Sequence, residues 1–180
     1  KVEYMLATES DSINVNTADD LIMQTYDTIA KASENKGSIP GQATGFDNID
    51  LKMGGMDGLA VLGARPGMGK TAFALNVAEH IVYNELKPVV FFSLEMGAQQ
   101  LMLRLVSSMT RIKYSALRYG ELEDDDWTKL AGFMNQSEKT KKLLICDEPK
   151  MTVRKIRSVC RRLKKQYGSL GAVIVDYLQL

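Results

Sequence analysis

Apolar and polar positions change their period several times along the chain. From Thr17 a helical spacing sets in. Leu21, Ile22, Thr25, Ile29 and Ala32 recur at three- and four-residue steps after Asp19 and Asp20, whose charges suit a first turn, and Gly37 stops the run. The stretch before it, Lys1–Asn16, is polar without a sustained period and reads as an extended linker. Gly37–Gly58 is punctuated by Pro40 and the Gly54-Gly55 pair, so it predicts loop with at most one helical turn near Asn48–Leu51. Beyond Gly58 short apolar runs alternate with amphipathic stretches. Leu59–Gly63, Pro88–Leu94, Leu143–Asp147 and Ala172–Leu180 are strand-like, whereas Lys70–Asn84, Ala98–Arg111, Asp124–Gln136 and Thr152–Tyr167 are helical. Apolar strands bounded by turns and separated by helices predict an α/β fold, a parallel β-sheet with helices on both faces.

Composition narrows the class without naming a function. With 180 residues, 45% of them hydrophobic, the chain supports one domain with a real core and excludes wholesale disorder. A formal net charge of +1 neither requires nor forbids a polyanionic partner. Cys146 and Cys160 lack the spacing of a metal or redox motif, which predicts reduced thiols in a cytoplasmic protein and no zinc site. No apolar run approaches the roughly 18 residues of a membrane span, and the polar, acidic start is no signal peptide, so no membrane partner is expected.

Charge is nevertheless distributed unevenly. Lys150–Lys165 holds eight basic residues and no acidic one, while Val153, Ile156, Cys160, Leu163 and Tyr167 make an apolar stripe at helical spacing. Such a helix covers a sheet and turns a basic face to solvent; a DNA-facing patch and a subunit interface are the alternatives. Glu121–Asp126 reads as the acidic start of a helix capped near Asp124. His80 draws no role, and the ten methionines read as core filling.

The chemistry concentrates in "LAVLGARPGMGKTAFALNVAEHIV" (Leu59–Val82). An apolar strand that ends in a Gly-rich loop and feeds a helix presents backbone N–H groups and the positive end of the helix dipole to an anion. Gly67 and Gly69 permit positive φ and close approach of phosphate oxygens, Lys70 can reach the β- and γ-phosphates, and Thr71 has a hydroxyl suited to Mg²⁺. Ala64, Arg65, Pro66, Gly67, Met68, Gly69, Lys70 and Thr71 therefore form a candidate ATP-binding loop, with alanine where the strict phosphate-loop pattern has its first glycine. Two carboxylates extend the site. Asp176 ends the apolar run "AVIVD", the position of an aspartate that holds Mg²⁺ at the carboxyl edge of a sheet, and Glu95 follows "VVFFSL", from where it can polarise a water. Lys70, Glu95 and Asp176 are the candidate catalytic residues; Thr71 and Asp176 are the candidate metal-holding pair.

At this level "GARPGMGKT", "FFSLEM" and "VIVDYLQL", in this order and spacing, resemble the ATPase domain of the DnaB-type replicative DNA helicases. "TGFDNID" (Thr44–Asp50), "LRYGELEDDDWTKL" and "LLICDEPKMTVRKIRSVCRRLKK" extend the likeness, which covers roughly Thr17–Leu180. The resemblance implies a RecA-like fold over residues 37–180, preceded by a linker and linker helix over 1–36 that docks on a neighbouring subunit. It implies a ring of six, ATP and Mg²⁺ between neighbouring subunits, single-stranded DNA through the centre, and a primase and a helicase loader as partners. It also makes Glu95 the catalytic base and Asp176 the Walker B aspartate, with Gln179 in the same motif.

Departures from that family pattern carry expectations of their own. Its N-terminal domain, its DNA-contacting loops, its arginine finger and the strand it places between the phosphate-loop and Walker B strands are not in these 180 residues. They are therefore expected to be part of a longer protein, and alone to fold poorly or aggregate. Two other functions remain open on the sequence: a RecA-like recombinase or clock-type ATPase, which "SLEM" with "DYLQL" disfavours, and a nucleotide-dependent DNA- or loader-binding module without unwinding.

Overall fold

A computed structural model of the chain describes residues 17–34, 39–135 and 137–176. These fall into two units, the first within Lys1–Ser38 and the second within Ile39–Leu180. In the first, helix α1 spans Ala18–Glu34. Its start is locally encoded: Asp20 N–H donates to the Thr17 hydroxyl at 3.3 Å, and the Thr17 hydroxyl and N–H donate to the Asp20 carboxylate at 2.6 and 3.3 Å. The predicted linker Lys1–Asn16 and the end of the predicted helix, Asn35–Lys36, lie outside the described residues.

The second unit is built on three parallel strands, β1 (Val89–Ser93), β2 (Leu143–Cys146) and β3 (Ala172–Asp176), in the order β2-β1-β3. Register is set by the central strand: Val89 lies opposite Leu143 and Ala172, Phe92 opposite Cys146 and Val175, and Ser93 opposite Asp176. Every residue of β1 is buried, as a strand flanked by neighbours and covered on both faces requires.

Alternate residues of β1 feed two cores. Val89 and Phe91 pack with α3 (Lys70–Tyr83), α4 (Ala98–Thr110) and α6 (Asp124–Met134), through Leu75, Ala78, Ile81, Val82, Leu101, Leu105 and Phe133. Val90 and Phe92 pack on the other face with Leu163, Ile156, Val159 and Cys160 of α8 (Val153–Tyr167). Three short helices complete the unit: α2 (Asp47–Met53), α5 (Tyr114–Tyr119) and α7 (Ser137–Thr140). Periodicity did not predict α5 and α7, because helices of six and four residues are too short to display a period. The acidic helix α6 begins at Asp124 as expected, and its cap lies one residue before the expected position. Glu123 is its N-cap in a reciprocal capping box with Asp126.

One predicted strand does not form. Leu59–Gly63 joins no ladder, and Leu59 and Val61 are 88% and 80% exposed. A strand exists through the partners that satisfy its amides and carbonyls. The family resemblance places a further strand between this run and the one bearing Asp176, and the described residues contain none, so the run faces solvent and β3 ends the sheet.

Candidate functional site

Why α3 starts where it does is visible in the loop before it. Gly67 and Gly69 have φ of 77° and 91°, a region that strains any residue with a Cβ, and Met68 N–H closes a turn on the Arg65 carbonyl at 3.2 Å. Gly69 is the N-cap, and Phe73 N–H makes the first helical hydrogen bond to its carbonyl at 2.9 Å. Nothing lies within 4 Å of where a Cβ would project at either glycine, so their backbone borders open space at the helix's positive end. Ala64 through Gly69 are exposed; Lys70 and Thr71 are half-buried at the first turn of α3.

Across from that turn, the Thr71 hydroxyl donates to Asp176 Oδ2 at 2.6 Å. This contact joins positions 105 residues apart and places the two predicted metal-holding groups side by side. Asp176 is only 8% exposed at the carboxyl end of β3. Glu95 rises from the turn after β1, the adjacent strand. Ser93 is the register partner of Asp176, Leu94 N–H donates to the Asp176 carbonyl at 2.8 Å, and the Ser93 hydroxyl donates to the Met96 carbonyl at 2.6 Å. The turn bearing Glu95 is thus fastened to the residue whose carboxylate meets Thr71, with Glu95 itself exposed. Gln179 lies outside the described residues.

Two supports were not predicted. Asp147, one residue past β2 at the same sheet edge, accepts a hydrogen bond from Ala98 N–H at 2.8 Å and so holds the first turn of α4, which closely follows Glu95. Its position at the end of an apolar run was the available signal. The second support braces α3 from the other side. Asp50, 3% exposed, accepts from Thr44 N–H, the Thr44 hydroxyl and Gly45 N–H at 2.7–3.1 Å. Burial raises the Asp50 pKa, but these hydrogen bonds and the nearby His80 outweigh it and hold the carboxyl below its ordinary value. Beyond this anchor, Gly45 (φ 85°) lies against the His80 ring, where a Cβ would come within 2.6 Å, and Phe46 stacks on Phe73 with ring centroids 4.9 Å apart. His80 and Phe73 both belong to α3, so the stretch Thr44–Asp50 fixes the helix that carries Lys70 and Thr71.

Among the described residues no group of three or more His, Cys, Asp or Glu is arranged to hold a metal alone. That fits Mg²⁺, which takes one or two protein oxygens and completes its octahedron with water and phosphate, and Thr71 with Asp176 supplies such a pair. No helix among the described residues is long and apolar enough to cross a membrane.

A glycine-bearing phosphate loop, a helix start, and a hydroxyl–carboxylate pair at the carboxyl edge of a parallel sheet define a phosphate-loop nucleotide-binding α/β domain. Within that class, the profile of the DnaB-like helicase C-terminal domain matches residues 41–180, and the chain belongs to that family. It is 42% identical over 163 residues to the replicative DNA helicase DnaC of Bacillus subtilis (strain 168), covering 89% of this chain and 36% of that protein. The replicative DNA helicase DnaB of Geobacillus stearothermophilus is also 42% identical over 163 residues, with the same coverage. The chain therefore spans a little over a third of the length of these relatives. Among solved structures it is similar to the ATPase domain of G40P, with TM-score 0.80 and 30% identity over 92% of this chain and 58% of that one. A DnaB-like replicative helicase solved to show its interactions with primase gives TM-score 0.74 and 30% identity, covering 90% of this chain and 38% of that one. The three-stranded parallel sheet and its flanking helices are thus part of a RecA-like ATPase fold.

Proposed function

We propose that this chain is the front part of the motor domain of an ATP-dependent replicative DNA helicase, coupling ATP hydrolysis to translocation on single-stranded DNA and duplex unwinding. The observation that carries the reading is the 2.6 Å contact of Thr71 with Asp176 beside the turn of Glu95, at the mouth of the glycine loop. Here the loop Ala64–Gly69 wraps the phosphates with the backbone N–H groups of its residues other than Pro66, and Lys70 neutralises charge on the β- and γ-phosphates. Thr71 and Asp176 would hold Mg²⁺, which supplies charge neutralisation of the phosphate oxygens when bound. Glu95 orients the attacking water and accepts its proton.

The wider setting of this reading is a cytoplasmic protein working as a ring of six, with primase and a helicase loader as partners. A similar helicase solved for its interactions with primase supports the first of those partners. The recombinase and binding-module readings draw no support from the relatives. A Lys70→Ala substitution in the intact protein tests the assignment. It is expected to abolish ATP turnover while the circular dichroism spectrum and melting curve stay those of wild type; undiminished turnover overturns it.

A further inference from the structure

Helix α8 divides its residues sharply. Ile156, Val159, Cys160 and Leu163 face the sheet, packed with Val90 and Phe92, on the side opposite α3 and the phosphate loop. At about 100° per residue, Arg154, Arg161 and Lys165 fall within a narrow line opposite that stripe, with Lys164 on one flank and Arg162 on the other. All five side chains belong to exposed residues, and among the described residues none of the five forms an ion pair. Elsewhere in this unit Lys87, Lys129 and Lys141 do pair with Glu85, Asp125 and Asp126, and Glu138. No acidic residue occurs between Pro149 and Val175, so none on α8 itself compensates these five cations.

We infer that the outer face of α8 binds the phosphate backbone of single-stranded DNA, as a contact separate from the ATP site; this rests on the helicase reading above. The complement to an uncompensated row of cations is a row of anions. From Arg154 to Lys165 the helix rises about 16 Å, long enough to meet more than one successive phosphate of a strand. Arginine dominates the row, and its planar fork engages phosphate oxygens in pairs. Sequence-independent contact of this kind suits a protein that moves along DNA without reading bases.

The test uses the intact protein and a fluorescein-labelled oligodeoxythymidylate, with affinity measured by anisotropy across a salt series. Replacing Arg154, Arg161 and Lys165 together by alanine removes three phosphate contacts. The negative slope of log K against log salt is then expected to become shallower by about 2 units, at roughly 0.7 per contact for a single strand. An Arg154→Lys, Arg161→Lys variant keeps the charges and is expected to keep the slope. In the unmodified protein, bound oligonucleotide is expected to protect Lys164 and Lys165 from acetylation, a readout that needs no substitution. An unchanged slope in the alanine variant, or undiminished acetylation, overturns the inference. So does a variant that keeps its DNA slope but loses binding to polyglutamate, which would mark the face as a dock for acidic protein. ATP turnover measured in the same samples reports on the helicase reading separately: its absence in wild type would refute that reading while the slopes still decide the role of α8.

Discussion

Replacing Asp50 by asparagine removes one charge and a single acceptor oxygen from a site 3% exposed, and the structure sets the cost. Asp50 receives three donors, the Thr44 hydroxyl at 2.7 Å and the Thr44 and Gly45 amides at 2.9–3.1 Å. The carboxamide turns an NH₂ toward at least one of these donors, and the others lose a charged acceptor. A hydrogen bond to a charged group contributes about 1.5–3 kcal/mol, and a buried donor left without a partner costs a further 1–3 kcal/mol, so a loss of about 3 kcal/mol is the expected scale. In the intact protein, for the transition of a unit of this size, that lowers Tm by roughly 6–12 °C, at about 2–4 °C per kcal/mol.

The pH dependence supplies an independent check. The Asp50 pKa is lowered by folding, so its contribution is fully present above the unfolded carboxyl value and is lost as pH falls through the folded one. The gap in stability between wild type and Asp50→Asn is therefore expected to be full at neutral pH and to shrink below about pH 4, where the unfolded carboxyl titrates. Thermal unfolding followed by circular dichroism across that range measures both quantities. Because the same stretch clamps His80 and Phe73 on α3, ATP affinity should weaken as well. A variant that melts with wild type, or a gap that is flat through the acid range, refutes the claim that an ionised Asp50 anchors this loop.

Two further substitutions probe opposite ends of the sheet's strands. Glu95→Gln in the intact protein removes the base and leaves the phosphate loop untouched; kcat for ATP hydrolysis should drop by about 10²–10⁴-fold with nucleotide affinity retained, as measured by single-turnover hydrolysis and filter binding. Equal loss of binding and turnover would assign Glu95 to nucleotide holding instead. Gly171→Ala acts just before β3, where a Cβ would lie 2.5 Å from the buried Ile81 Cγ2 and 2.8 Å from Lys87 Cβ. Overpacking of this kind costs about 1–3 kcal/mol. The variant should melt earlier than wild type, and a melt equal to wild type would show that β3 shifts freely.

What could be read from the sequence follows from how local each feature is. The phosphate loop, the end of β1 at Ser93 and the end of β3 at Asp176 are encoded within a few residues each. Motif order alone therefore nominated Lys70, Thr71, Glu95 and Asp176. Contact between Thr71 and Asp176 across 105 residues was implied only by the parallel sheet, in which strands that follow one another through helices deliver their carboxyl ends to one edge. The Asp50 anchor stayed hidden because a buried aspartate with three donors looks, in one dimension, like any polar residue in a Gly-rich loop. Leu59–Gly63 shows the opposite failure. Its apolar residues carry as strong a strand signal as "PVVFFSL", but β1 has β2 and β3 beside it, whereas Leu59–Gly63 has no ladder partner among the described residues. Propensity nominates a strand; hydrogen-bond partners elsewhere in the chain decide whether it exists. The phosphate loop nevertheless keeps its positive-φ glycines without that strand, because its geometry is set by Gly67, Gly69 and the first turn of α3, and α3 is held from the far side by Gly45 and Phe46.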